Sequence, residues 1–273
     1  ALDIFLKARG VLAAYLGLSP VKKFIFRQFL ARPVWFDRLL SLAPKFEWIF
    51  AQPVNDLLGS SCVRIESPLG DRHFRRPAAR PFHSLVDRRD APPGGSGLKV
   101  ALFVGCLIDK LYPKIAQATV KALDHLQVGY LIPENQACCG IPALASGDST
   151  GFEKLLRLNL ELFDPGRFDY LVTACATCTA TIKKLWPLMA HGADQAARRR
   201  VETISARTMD ISQFLVDRDL LPPPGPTDPN AVPVAYHDPC HLKKSLGVWS
   251  QPRQLIATSP GCHLKEIDRK SVV

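Results

Sequence analysis

The sequence predicts an α/β protein: a parallel sheet with flanking helices, built as a duplicated unit with an incomplete second repeat and preceded by a helical segment. Three observations predict it. From Leu98 onward, short apolar strands alternate with amphipathic helices, the pattern of parallel strands joined by crossovers. Each cysteine group in this region follows the carboxyl end of a strand, where open α/β sheets place their ligand crevices. Finally, Val232-Pro-Val-Ala-Tyr-His-Asp-Pro-Cys240 restarts the theme of Val100-Ala-Leu-Phe-Val-Gly-Cys106, a strand running into a cysteine, which points to an internal repeat.

Residues 1 to 58 read as short amphipathic helices. Leu6, Ala13, Leu16, Phe24, Phe26, Phe29, Leu30, Trp35, Phe36, Leu39, Leu40, Phe46, Trp48 and Phe50 are interleaved with Lys and Arg, and prolines 20, 33, 44 and 53 punctuate them. Apolar stripes on helices usually face a core, so these side chains are expected to pack inward. The alternative is a basic, aromatic surface that docks on a partner subunit or a membrane face. Arg75, Arg76, Arg80, Arg88 and Arg89, followed by Ala-Pro-Pro-Gly-Gly-Ser-Gly at 91 to 97, read as an irregular linker.

Lys99 to Val104 is a strand ending at Gly105-Cys106, and Leu111 to Gln127 a helix with Ile115, Ala118, Ala122 and Leu126 along one side. Val128 to Ile132 is the next strand, stopped by Pro133. After Cys138-Cys139-Gly140, Phe152, Leu155, Leu156 and Phe163 mark a second helix, ended by Asp164-Pro-Gly. Phe168 to Thr173 is a third strand and leads into Cys175. Ile182, Leu185, Trp186 and Met189 then fall at i, i+3, i+4 and i+7, so a helix follows Cys178. Gly192 to Arg207 and Ile211 to Leu220 are further helices, and Leu221 to Asn230 is a proline-rich linker. The domains expected are a basic helical segment and linker over 1–96, a first α/β unit over 97–222, and the start of a second, incomplete unit over 223–273.

At 273 residues and 47% hydrophobic content, the chain can bury one substantial core or two modest ones. The formal charge is +10, and of this +7 lies before Gly97, where fifteen Lys/Arg face eight Asp/Glu; basicity and cysteines are separate features. No nucleic-acid-binding motif accompanies the arginines, so nucleic acid is not expected as a partner. Eight cysteines are too few for a disulfide scaffold of this length, and no signal peptide opens the chain, so a reducing, cytoplasmic location is expected. The apolar run Val11 to Leu16 is far short of a membrane span, and no transmembrane segment is expected. The first residue is Ala, inside what reads as a helix, and the expectation is a fragment or a processed product.

Five of the eight cysteines form one constellation: Cys106 alone, then Cys138 and Cys139 followed by Gly140, then Cys175 and Cys178. Thiolates are soft charged ligands that repel one another unless a cation binds, and iron-sulfur clusters and zinc are the usual cations. Neighbouring residues of an extended chain point to opposite faces, so Cys138 and Cys139 share a site only if the backbone turns. Gly140 can supply that turn with a positive φ or a close approach. Cubane clusters and structural zinc take four cysteines, and here there are five. Cys62 and Cys262 have no spacing partner and read as ordinary thiols. Lys110 and Lys114, within two turns of Cys106, could offset cluster charge, although solvated lysines are the commoner case.

A Cys-Cys-Gly triplet flanked at these distances by a single cysteine and a Cys-x-x-Cys resembles the cysteine-rich CCG domain family. It includes the cysteine-rich component of heterodisulfide reductase and the iron-sulfur subunits of glycolate and lactate oxidases. The resemblance covers roughly residues 60 to 267. It implies that Cys106, Cys138, Cys139, Cys175 and Cys178 hold a [4Fe-4S] cluster, noncubane in heterodisulfide reductase; zinc, which other members place at one of their motifs, is the alternative cofactor. It also implies an electron-transfer subunit that takes electrons from a flavoprotein dehydrogenase oxidising a 2-hydroxy acid such as glycolate or lactate, with quinone or membrane-surface contact. A heterodisulfide reductase-like, disulfide-reducing subunit and a zinc-stabilised interaction module are the competing functions. No glycine-rich nucleotide fingerprint competes with these readings.

Cys240, in Asp-Pro-Cys-His, resembles the first ligand of a second site and is the weaker candidate, with His237 and His241 beside it. The step from Cys106 to Cys138, counted from Cys240, falls on Val272 and Val273, so the second Cys-Cys is missing. The paired Cys-x-x-Cys-x-x-Cys-x-x-x-Cys-Pro runs of glycolate oxidase-type relatives are also missing. Both departures put a second cluster and a ferredoxin-type electron path in doubt.

Overall fold

A computed structural model describes residues 2–40, 52–55, 59–61, 73–74, 77–192, 194–223 and 228–266. Phe46, Trp48, Phe50, Cys62, Arg75, Arg76, Val272 and Val273 lie outside the described residues. The chain divides into two compact units. The first comprises Ala1–Ala91, Val104–Ala122 and Leu131–Asp164, the second Pro92–Phe103, Leu123–Tyr130 and Pro165–Val273.

Ten strands are described. β1 (Gln52–Asn55), β2 (Gly59–Ser61) and β3 (His73–Phe74) form a small antiparallel sheet. Five others, β4 (Asp90–Ala91), β5 (Lys99–Leu102), β6 (Gly129–Leu131), β7 (Tyr170–Thr173) and β8 (Thr208–Asp210), form one sheet in the order β4-β6-β5-β7-β8. β5 pairs with β7, and β7 with β8, in parallel, as the alternation of strands and helices predicts. Val100, Ala101 and Leu102 are buried in succession, as are Leu171, Val172 and Thr173, because a parallel sheet is covered on both faces and shows a continuous apolar run. β9 (Val232–Val234) pairs in parallel with β10 (Cys262–Leu264).

The core of the second unit packs Phe103, Leu171, Ile182, Trp186, Ile204 and Phe214, all fully buried, with the Phe103 and Trp186 rings edge to face at 6.3 Å. In the first unit Phe82, Ile132, Phe152, Leu155 and Phe163 do the same. There the buried carboxylate of Asp148 accepts from Gly151 N–H, capping α6 (Ser149–Leu162), and pairs with the Arg27 guanidinium at 2.7 Å, which anchors that helix.

Three features depart from the expected elements. The helix expected over 111–127 is present as α4 (Pro113–His125), but a separate short helix that was not expected, α3 (Cys106–Leu111), precedes it. Tyr112 breaks them at φ −128°, ψ 51°, because the residue before a proline is pushed out of the helical region. β8 is three residues between two helices, too short to show a period of its own. Finally, the N-terminal stripe does not pack inward as a whole: in α1 (Leu2–Leu16) and α2 (Pro20–Phe24), Phe5, Val11, Leu12, Tyr15, Leu16 and Phe24 are exposed, and of the aromatic residues between positions 4 and 40 only Phe26 is buried. Among the described residues no single helix is long and apolar enough to cross a membrane.

Candidate metal centre

Cys106 is the first residue of α3, entered through Gly105 at φ +76°. Cys138 and Cys139 lie in the loop after β6, both buried, and the chain turns into α5 (Ile141–Ala145) at Gly140 with φ +96° and ψ −12°, the left-handed turn the doublet requires. The Sγ atoms of Cys106 and Cys138 stand 3.5 Å apart. Cys138 also lies within hydrogen-bonding reach of Cys139. Hydrogen bonding to Cys106, then to Cys139, together with burial, pushes the Cys138 thiol up. A buried thiol crowded by neighbouring sulfurs, as Cys138 is, resists ionising, which is the situation a soft cation relieves. The donor set is sulfur throughout, and it fits iron-sulfur or zinc ligation.

Two amides hold these loops. Gln136 Oε1 accepts from Val104 N–H at 3.0 Å, tying the strand that leads to Cys106 to the loop that leads to Cys138. Its Nε2 donates to Pro133 O at 3.2 Å. Asn159, fully buried on α6, accepts from Ala137 N–H and donates to Cys138 O. The Phe152 ring of the same helix lies so close to Gly140 that a Cβ there would meet it at 2.6 Å. Residue spacing did not single out Gln136 or Asn159. The available signal was that Asn159 falls on the otherwise apolar stripe of Phe152, Leu155 and Leu156.

In the second unit Cys175 precedes α7 (Ala176–Ala180), and Cys178 is buried within it. The helix runs on through a π-turn at Thr181–Leu185 to Trp186–Met189, as the spacing of Ile182, Leu185, Trp186 and Met189 predicts. Cys175 N–H donates to Thr173 Oγ1 at 3.2 Å, and its carbonyl accepts from Thr179 Oγ1 at 2.9 Å. The turn His241–Ser245 belongs to this unit too: His241 Nδ1 lies 3.1 Å from Thr177 Oγ1, between the two cysteines of the Cys-x-x-Cys. Cys240 and His237 are both exposed. Thus Cys106, Cys138 and Cys139 are brought together within the first unit, and Cys175 and Cys178 one helical turn apart within the second. Among the described residues no cysteine is in a disulfide.

An ionic cluster beside Cys106 escaped the sequence because its members are far apart along the chain. Lys110, 5% exposed, pairs with Asp37 and with Asp109 at 2.6 Å. His83 bridges the same carboxylates, Nδ1 to Asp109 and Nε2 to Asp37, each at 2.8 Å. Hydrogen bonds to Asp109 and Asp37 raise His83 to about 9, so it is an imidazolium at neutral pH. Burial pushes the Asp109 carboxyl up, but His83 and Lys110 outweigh it and hold Asp109 below its usual range. Ligand atoms of Asp37, His83 and Asp109 lie within 4.8 Å of one another, yet the Lys110 ammonium already supplies the cation there. Lys110 is therefore committed to these carboxylates, while Lys114 is exposed in solvent. A cavity of about 40 Å³, walled by Leu30, Phe36, Phe82 and Ile132, reaches from this cluster to Cys106 and Cys138.

The Cysteine-rich domain family, CCG, matches residues 100–183. An uncharacterized iron-sulfur protein of Methanococcus maripaludis is 32% identical over 171 residues, 63% of this chain and 31% of that protein. A subunit of fumarate reductase (CoM/CoB) from Methanothermobacter marburgensis is 32% identical over 64% of this chain and 32% of its own. Lactate utilization protein A of Geobacillus kaustophilus is 34% identical over 61% of this chain and 67% of its own. The chain thus spans about a third of the length of the two archaeal relatives. No solved structure matches it. All five cysteines of the constellation fall inside the matched stretch, and the chain belongs to the cysteine-rich CCG domain family.

Proposed function

We propose that the chain is an iron-sulfur electron-transfer subunit of a flavin-linked 2-hydroxyacid dehydrogenase or oxidase complex, with Cys106, Cys138, Cys139, Cys175 and Cys178 as ligands of a [4Fe-4S] cluster. The observation that carries this reading is the 3.5 Å approach of Cys106 to Cys138, with Cys139 in reach of the same sulfur. Relatives named as iron-sulfur proteins and as lactate utilization protein A support it. When bound, the cluster supplies a one-electron store between a two-electron flavin donor and a quinone acceptor.

The chain's own residues prepare the site. Gln136 and Asn159 fix the loops that carry the thiols. Phe82 and Ile132, both fully buried, give the cavity beside Cys106 and Cys138 an apolar wall, which strengthens electrostatic interactions there. The partner proposed is a flavoprotein dehydrogenase. Exposed Phe5, Tyr15, Phe24 and Trp35 beside Lys7, Lys22 and Lys23 offer a surface for that protein or for a quinone-bearing membrane face.

Anaerobic reconstitution with iron and sulfide tests the reading. The expected result is sulfur-to-iron charge-transfer absorbance, an EPR signal on one-electron change, and reduction by a lactate- or glycolate-reduced flavoprotein. Stoichiometric zinc with neither absorbance nor EPR signal would overturn it in favour of a zinc-stabilised module.

A further inference from the structure

We infer that Asn159 is a positioning residue for the cysteine doublet, aiming the Cys138 and Cys139 thiols before any metal arrives. The inference rests on the reading of those two cysteines as ligands. A buried primary amide is costly unless its donors and acceptor are matched, and Asn159, with no solvent exposure, has all three matched. Oδ1 accepts from Ala137 N–H at 3.2 Å, and Nδ2 donates to Cys138 O and to Leu155 O, each at 3.0 Å. The opposite amide orientation would set NH2 against an N–H and oxygen against two carbonyls, so the partners themselves dictate the orientation.

Only the Leu155 bond lies within α6. The other two grip the backbone on either side of the Cys138 Cα, its preceding N–H and its own carbonyl. Fixing both directs the Cys138 side chain toward Cys106. Two residues on, Phe152 of the same helix abuts Gly140, whose left-handed turn sets the direction of Cys139. α6 therefore supports the doublet with one polar and one apolar contact. Such supports, one bond removed from the ligands, are worth about 10- to 100-fold in metal affinity when cut.

The test compares two substitutions at Asn159 with a control on the same helix. Asn159→Leu removes all three bonds at similar volume. Asn159→Thr keeps a bond to the Leu155 carbonyl, which a helical hydroxyl can make, and releases the doublet, so it covers the case in which the leucine variant fails to fold. Leu160→Ala removes buried volume from α6 and no hydrogen bond. Two readouts are taken on the full chain. One is metal-free: the rate at which dibromobimane bridges Cys106 to Cys138, followed by fluorescence and peptide mapping. The other is cobalt(II) affinity, from chelator competition and the thiolate-to-cobalt absorbance. The expected result is bridging at least about 10-fold slower and cobalt bound about 10- to 100-fold more weakly in both Asn159 variants, with Leu160→Ala near wild type after an equal loss of melting temperature. Wild-type rates in folded Asn159→Thr, or an equal deficit in Leu160→Ala, would overturn the inference. If wild type takes up no iron and sulfide, the cluster reading fails, and the bridging rates still judge Asn159.

Discussion

The sulfurs of Cys106 and Cys138 meet at 3.5 Å although 32 positions of sequence separate them. One sits at the start of α3, the other in the loop after β6, and Gln136 ties the two chain segments together through Val104. Serine in place of either cysteine keeps the shape but replaces a soft thiolate with a hydroxyl that stays protonated. Cys106→Ser and Cys138→Ser should each lower bound iron and sulfide by at least about 10-fold, as measured on anaerobically purified protein. Cys240→Ser, at an exposed position, should leave both contents unchanged.

Gly140 is the second point of leverage. At φ +96° a side chain is strained, and its Cβ would press on the fully buried Phe152 ring, which has nowhere to move. Gly140→Ala should cost about 1–3 kcal/mol in denaturant unfolding and should lower metal content together with stability. Unchanged unfolding would show that the turn is not held as described.

Much of this was legible in the sequence, for identifiable reasons. The strands at 99–102, 129–131 and 170–173 announce themselves as apolar runs, and Cys138-Cys139-Gly140 needs a turn whatever surrounds it. What stayed hidden depends on contacts across the chain. Asp37, His83 and Asp109 form a cluster only after folding, and no local pattern pairs them. The aromatic stripe over residues 1 to 40 has the spacing of a core face, yet Phe5, Phe24 and Trp35 are exposed, since a period tells which residues share a face but not what covers it. Asn159 reads as a flaw in an apolar stripe until its three partners are seen.

Lys110 holds two carboxylates together from a nearly dry position. Lys110→Met would leave Asp37 and Asp109 facing each other with only His83 between them. Removing one member of a buried ionic group costs about 3–5 kcal/mol, so this variant should unfold at markedly lower denaturant concentration than wild type. Lys114→Met, at an exposed position on α4, should change stability by less than about 0.5 kcal/mol.

His83 gives the cluster a pH dependence. Its folded value, about 9, lies above the ordinary 6.5, so its contribution is full below pH 6.5 and disappears as the pH rises through 9. The side chain is 33% exposed, so solvent screening leaves about 1–2 kcal/mol of the effect. Unfolding free energy should fall over that window in wild type, and the fall should be absent in His83→Asn.

The proposal stands or falls on whether all five cysteines of the constellation are ligands of one cluster. Iron and acid-labile sulfide, measured per chain in anaerobically purified Cys175→Ser and compared with Cys106→Ser, test it most directly. The account expects both contents to collapse to the same low level in either variant. Full iron and sulfide retained in Cys175→Ser, while Cys106→Ser loses them, would contradict it.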